Sequence, residues 1–337
     1  MGNGAIAEEI EIGVTSDYDQ ESPLAQKLED LANQLEGLGP DFEGPVKKIR
    51  RVVKKGRKEE DERDRNGEAE GLDIAATQII NAVSRDGVEK AVLLEGFDVG
   101  ESVWGIAARL YGEAGDYKNV ASVYERLAER ATDIANGLEG EDEIRVLETA
   151  SAANVHTAIL TNDPNFYIRA AELQDTIGSK LDDPNRLAAT VAAFIECRLG
   201  AAKVSKRNSD SQQEAKYLLE AADAVDRYIT LLTFLDKTKG FGEPVPDPDL
   251  RRPFVDFVID GIEAAAEAGR VERENNGYER TAKIAADAAV LKLPRARTHY
   301  LTDDERIEVV ETAYKLLDEG FRTAPRETKA EMRQNMG

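Results

Sequence analysis

Apolar positions recur at helical spacing along most of the chain, and strict alternation is confined to Ile10, Ile12 and Val14. Recurrence every three or four residues puts side chains on one helical face, whereas alternation marks a strand. The helical pattern opens at Ser22. Serine can cap, and Pro23 suits the first helical position because its missing N–H has no partner to lose there. Leu24, Leu28, Leu31, Leu35 and Leu38 follow at spacings of 4, 3, 4 and 3, a seam of two heptads. Such a face has two uses, packing inside the protein or pairing two copies, and the spacing allows both.

Gly37, Gly39 and Pro40 stop this helix, and Pro45 can open the next. Residues 46–58 then carry eight basic side chains and no acidic one: Lys47, Lys48, Arg50, Arg51, Lys54, Lys55, Arg57 and Lys58. Val46, Ile49 and Val53 share one face, so this stretch is an amphipathic helix with cations over the rest of its surface. Seven acidic residues follow within 59–70. The abrupt change sets residues 1–70 apart as an N-terminal arm, a leucine helix followed by a basic-then-acidic one.

From Leu72 to about Lys239 the pattern predicts a main body (71–239) of helices in series. Breaks are expected at Arg85–Gly87, Phe97–Gly100, Gly115–Asp116, Gly137–Gly140, Asn162–Asp163, Asp182–Asp183 and Arg207–Ser209. Pro164 and Pro184 each follow an aspartate, a pairing that caps and starts a helix. The spacing of the breaks suits antiparallel hairpins. Four prolines in 240–253 predict an extended loop that separates a C-terminal part, 254–337. Helices are expected there over 253–271, 276–291 and 303–322, the last opened by a Thr302/Glu305 capping box. The predicted fold is all-α, an irregular solenoid of stacked helix hairpins with an N-terminal arm.

Residues 104–124 resemble a tetratricopeptide repeat. Trp104, Ala107, Ala108 and Tyr111 fall on its first-helix positions, Gly115-Asp116-Tyr117 on its tight turn, and Tyr124 on its second-helix aromatic position. Val120 stands where alanine is usual, with Ala121 beside it, and Thr132 replaces the closing proline. Ala313, Leu317 and Pro325 match the second half of another repeat. The resemblance implies packing roles for Trp104, Ala108, Tyr111, Gly115 and Tyr124. It also implies a concave face that binds protein segments.

Composition narrows the function classes. The 66 acidic against 44 basic residues give a net charge of -22. This excess resembles that of proteins kept soluble in high salt by a carboxylate surface, and it opposes nucleic-acid binding by the surface as a whole. One cysteine, Cys197, excludes an internal disulfide, and two histidines, His156 and His299, leave little for metal ligation. No apolar run approaches the length of a membrane span, and the first residues lack a secretory pattern, so a cytoplasmic protein is expected. Walker A, GxSxG, Glu-x-x-His and His-Glu-x-x-His signatures are absent. Gly2, Gly4 and Ala7 form GxGxxA with no strand before it. Asp17, Asp19 and Glu21 begin a calcium-loop pattern, but Ser22 and Leu28 occupy its glycine and final glutamate positions. Cys197 lies on an alanine-rich helix and reads as a buried thiol. No cofactor, metal or catalytic residue is expected.

Three function classes follow. The first is a non-catalytic scaffold or adaptor, expected as a homo-oligomer, that binds protein partners or itself through a helical groove. The second is a structural assembly protein, such as a virion or shell component of a halophilic system. The third is an enzyme built from scattered carboxylates and arginines. The basic segment 46–58 can pair with acidic protein, neutralise nucleic-acid phosphates without base stacking, or meet an anionic membrane, the least expected of the three.

Overall fold

A computed structural model describes residues 22–55, 64–85, 87–181, 184–239, 248–290 and 301–335. The alternating run Ile10–Val14, the cations Arg57 and Lys58, and His299 lie outside the described residues. Among the described residues there are thirteen α-helices, one short 3-10 turn and no strand. The fold is all-α, with helices that pack on their neighbours in the chain in a solenoid-like series. Two compact units divide it, residues 1–123 and 124–337, and the division falls inside α5 (Tyr117–Ala135).

The first unit contains α1 (Ser22–Leu38), α2 (Glu43–Lys55), α3 (Arg65–Val83), α4 (Lys90–Glu113) and the start of α5. Helix α1 packs on α2 and α4, α2 on α3, and α3 on α4, which closes a ring of four helices. The expected separate arm is therefore corrected: its helices belong to the same core as α3 and α4. The reason is apolar burial on both. Leu28, Leu31 and Leu35 are buried, as are Val46, Ile49, Val52 and Val53. The acidic stretch is also partly helical. Asp64 accepts a hydrogen bond from the Gly67 N–H at 2.9 Å and caps α3, which begins seven residues before Leu72.

The break expected at Phe97–Gly100 does not occur, and α4 runs through it. The glycines there serve close approach. A Cβ at Gly100 would lie 2.6 Å from Ile80 Cδ1, and one at Gly96 would clash with Val83 of the same neighbour. Trp104 is 1% exposed, and its indole Nε1–H donates to Asp73 Oδ1 at 3.0 Å. Ala107, Ala108 and Tyr111 are buried beside it. Helix α4 ends where the pattern placed the turn. Gly115 has φ +75°, the Asp116 N–H donates to the Tyr111 carbonyl at 2.8 Å, and the Gly115 N–H to Gly112 at 2.9 Å. This left-handed closure satisfies carbonyls that the last helical turn leaves over.

In the second unit α6 (Glu141–Thr161), α7 (Pro164–Lys180), α8 (Pro184–Arg207), α9 (Ser211–Lys239), α10 (Pro248–Glu272), α11 (Asn276–Val290) and α12 (Asp303–Thr323) pack each on the next, with α13 (Arg326–Asn335) against α11. Alanine makes this stacking close: Ala221, Ala222, Ala265, Ala268 and Ala288 are buried with Val225, Val258, Ile262 and Ile284. Asp163 caps α7 by accepting from the Asn165 N–H at 2.9 Å. The capping box of α12 is formed, with Thr302 and Glu305 bonded reciprocally at 3.2 and 2.7 Å.

The proline-rich segment does not separate a C-terminal part. Helix α9 packs on both α10 and α11, and α10 begins at Pro248, so Pro248 and Pro253 are helical. Pro248 stands at the first position, where proline costs no hydrogen bond, whereas Pro253, the sixth residue, leaves the Asp249 carbonyl without its usual donor. Residues 240–247 lie outside the described residues. No helix among the described residues is long and apolar enough to cross a membrane.

Candidate binding surfaces

Amphipathicity fixes the presentation of the basic helix. With Val46, Ile49, Val52 and Val53 buried, the cations of α2 must lie on its outer side. Lys47, Arg51 and Lys54 are exposed at i, i+4 and i+7, and Lys48 is half-buried beside them. Lys48, Arg51 and Lys54 have no ion pair among the described residues, and Lys47 meets Glu43 at 3.2 Å. Arg50 is different. Its guanidinium donates to both carboxylate oxygens of Glu36 at 2.7 and 2.8 Å and to Asn33 Oδ1 at 2.8 Å, with Glu29 at 3.3 Å. The hydrogen bonds from Arg50 hold the Glu36 carboxyl below its usual range and raise Arg50 in turn. Arg50 is thus committed to α1 and is corrected as a candidate for phosphate. The Lys55 side chain, Arg57 and Lys58 lie outside what is described.

The leucine seam is covered by the chain itself. Leu28, Leu31 and Leu35 are 2%, 8% and 0% exposed, and Leu38 is half-buried. A seam between two copies needs these side chains at the surface, so they do not form one. The Leu24 side chain lies outside the described residues. Tyr124 stacks on His156, with ring centroids 4.7 Å apart, and burial lowers the His156 pKa. Burial pushes the Cys197 thiol up to about 12. Such a thiol holds its proton and is a poor nucleophile.

The second unit has two adjoining grooves that sequence reasoning did not find. One, of about 460 Å³, lies between α5 and α7. Glu125, Glu129 and Asp133 recur every fourth residue along α5, so they form one stripe on its wall. Glu172, Arg169, Leu173 and Thr176 of α7 form the facing wall, and Asn154 of α6 also lines it. The other groove, of about 430 Å³, lies between α7 and α9. It is lined by Glu172 and Asp175, by Phe194 and Arg198 of α8, and by Glu220, Asp223 and Asp226. Glu172 belongs to both.

Each groove carries an arginine over a phenylalanine. The Arg169 guanidinium lies 5.1 Å from the Phe166 ring centre, and that of Arg198 lies 5.0 Å from Phe194. Their charge balances differ. In the α7–α9 groove Arg198 meets Glu220 at 3.0 Å, and Arg280 and Lys283 of α11 pair with Asp223 and Asp226. In the α5–α7 groove Arg130 approaches Asp133 at 3.8 Å, while Glu125, Glu129 and Glu172 have no ion pair among the described residues. Asn154 is 4% exposed. Its amide NH2 donates to the Ala150 carbonyl at 2.9 Å, and its Oδ1 accepts no hydrogen bond among the described residues. The α5–α7 groove therefore sets four carboxylates, Glu125, Glu129, Asp133 and Glu172, against one lining arginine, Arg169.

No cluster of three or more histidine, cysteine or acidic side chains suited to a metal ion occurs among the described residues. In comparison with known proteins, no family model and no curated protein matches the chain.

Proposed function

We propose that the protein is a non-catalytic helical adaptor that holds cationic protein segments in its α5–α7 groove. The observation that carries this reading is the groove itself, where Glu125, Glu129 and Glu172 have no ion pair among the described residues and Asn154 lies along the wall. Acceptors and anions held on rigid helices suit donors on a lysine- or arginine-bearing chain. Grooves that repeat along stacked hairpins are the usual recognition surface of such folds. The likeness of residues 104–124 to a tetratricopeptide repeat points to the same function class. A cytoplasmic location is part of the same reading.

A second reading is a structural assembly protein. It is favoured by the exposed Lys47, Arg51 and Lys54, a basic stripe on an otherwise acidic chain.

A photo-reactive residue at Thr132 or Thr176, both lining the groove, tests the adaptor reading in source cells. Cross-links to protein partners are expected from these positions and not from Tyr314, which is 74% exposed on α12. Equal capture from all three positions, or none from the groove, overturns the reading.

A further inference from the structure

The two unbalanced surfaces of this chain are opposite in sign and similar in pitch. On α2, Lys47, Arg51 and Lys54 repeat at i, i+4 and i+7 and cover about 10 Å of helix axis. On α5, Glu125, Glu129 and Asp133 repeat at i, i+4 and i+8 and cover about 12 Å. Glu172 faces that stripe from α7. A helix laid along the groove would put each of its three cations beside a carboxylate. One feature leaves the groove ready for such an occupant: of its four acids only Asp133 meets a cation, Arg130, among the described residues.

We infer that the groove takes the basic α2 stripe of a second copy of this chain. The inference rests on the adaptor reading and names one occupant of its groove. Segment 46–58 is the densest cationic stretch of the sequence, and the leucine face of α1 is already used inside the first unit. Stripe and groove are different surfaces, one in each compact unit. The contact is therefore heterologous, and each copy that offers its stripe still has a free groove. Such contacts close into rings or continue as chains. Exposed rim charges set the approach and are screened as salt rises, so association weakens with added KCl.

The test is an exchange of charges. One full-length variant carries Lys47→Glu, Arg51→Glu and Lys54→Glu. The other carries Glu125→Lys, Glu129→Lys and Glu172→Lys. All six positions are side chains outside the apolar core, and far-UV circular dichroism checks that both variants are folded. Light scattering follows size against concentration in 0.1 M and 2 M KCl, as chosen conditions of roughly 10 Å and a few Å screening length. The wild type is expected to grow beyond 37.0 kDa with concentration, less so in high salt. Each variant alone should associate about tenfold more weakly or worse, and an equimolar mixture should recover association, because each stripe then meets a groove of opposite sign. A wild type that stays at 37.0 kDa at every concentration and salt overturns the inference. So do variants that associate like the wild type, or a mixture that recovers nothing. Groove cross-links to other proteins in such a case would leave the adaptor reading standing.

Discussion

Replacing Trp104 by alanine is expected to lower the stability of the first unit by about 3–5 kcal/mol. Trp104 is the one tryptophan in the chain, is 1% exposed, and is among the largest fully buried side chains. Alanine would leave a cavity that rigid helices refill only in part. It would also remove the donor that Asp73 Oδ1 accepts at 3.0 Å. Small domains are stable by about 5–15 kcal/mol, so the loss is a large fraction of the whole. Trp104→Phe separates the two contributions. It keeps most of the packing, and the lost hydrogen bond is worth about 1–2 kcal/mol. Denaturant unfolding followed by circular dichroism measures both, and a loss below about 1 kcal/mol for Trp104→Ala would contradict this packing.

Gly277→Ala is expected to destabilise the second unit by about 1–3 kcal/mol or more, although alanine is the better helix former. Gly277 stands in the first turn of α11 against α10. An added Cβ would collide with backbone atoms, the Ala265 carbonyl oxygen and the Gly269 N and Cα, the last at 2.8 Å. Backbone cannot rotate aside as a side chain can, so α10 and α11 would have to separate. The next residue, Tyr278, depends on that closeness, since its ring lies against Gly269 and Gly320. Gly105 provides the control. It is exposed in the middle of α4 with nothing within 4 Å of an added Cβ. Gly105→Ala should stabilise by up to about 1 kcal/mol through helix propensity. Thermal melts of the two variants should therefore shift in opposite directions, and a stabilised Gly277→Ala would contradict the interhelical contact.

These glycines show where the sequence was legible. Wherever glycine met turn chemistry, as at Gly115-Asp116 and Gly140, it marked a helix end with positive φ. At Gly96 and Gly100 it marked a close crossing inside α4, because no local signal distinguishes the two uses and only the partner helix does. Aspartate before proline was decisive at Asp163, where a side-chain cap forms. Proline alone misled at Pro248, since near a helix start it costs little. Helix α13 escapes the pattern for a related reason: Pro325, matched to the second half of a repeat, precedes a new helix that begins at Arg326.

The candidate site was less legible than the fold. Hydrophobic periodicity placed the buried face of α2 and hence its outward cations. It could not foresee that Arg50 would be taken by Glu36, because that pairing depends on how α1 crosses α2. The acidic groove left one faint local trace, the four-residue recurrence of Glu125, Glu129 and Asp133. Among 66 acids such recurrences are common on solvated helix faces. What makes this one a groove is α7, which brings Glu172 opposite it, and α6, which places Asn154 along it. Both are consequences of stacking rather than of any motif.

The most direct test of the groove is the binding of a labelled lysine- and arginine-rich peptide, followed by fluorescence anisotropy. Three forms are compared: the wild type, a groove variant (Glu125→Gln, Glu129→Gln, Glu172→Gln) and a variant of equal net charge altered elsewhere (Glu70→Gln, Glu89→Gln, Glu95→Gln), at exposed positions of the first unit. The account predicts about tenfold weaker binding for the groove variant, with the second variant close to wild type and an acidic peptide unbound. Equal weakening in both variants would mean that the peptide senses only the net charge, and would contradict a specific site between α5 and α7.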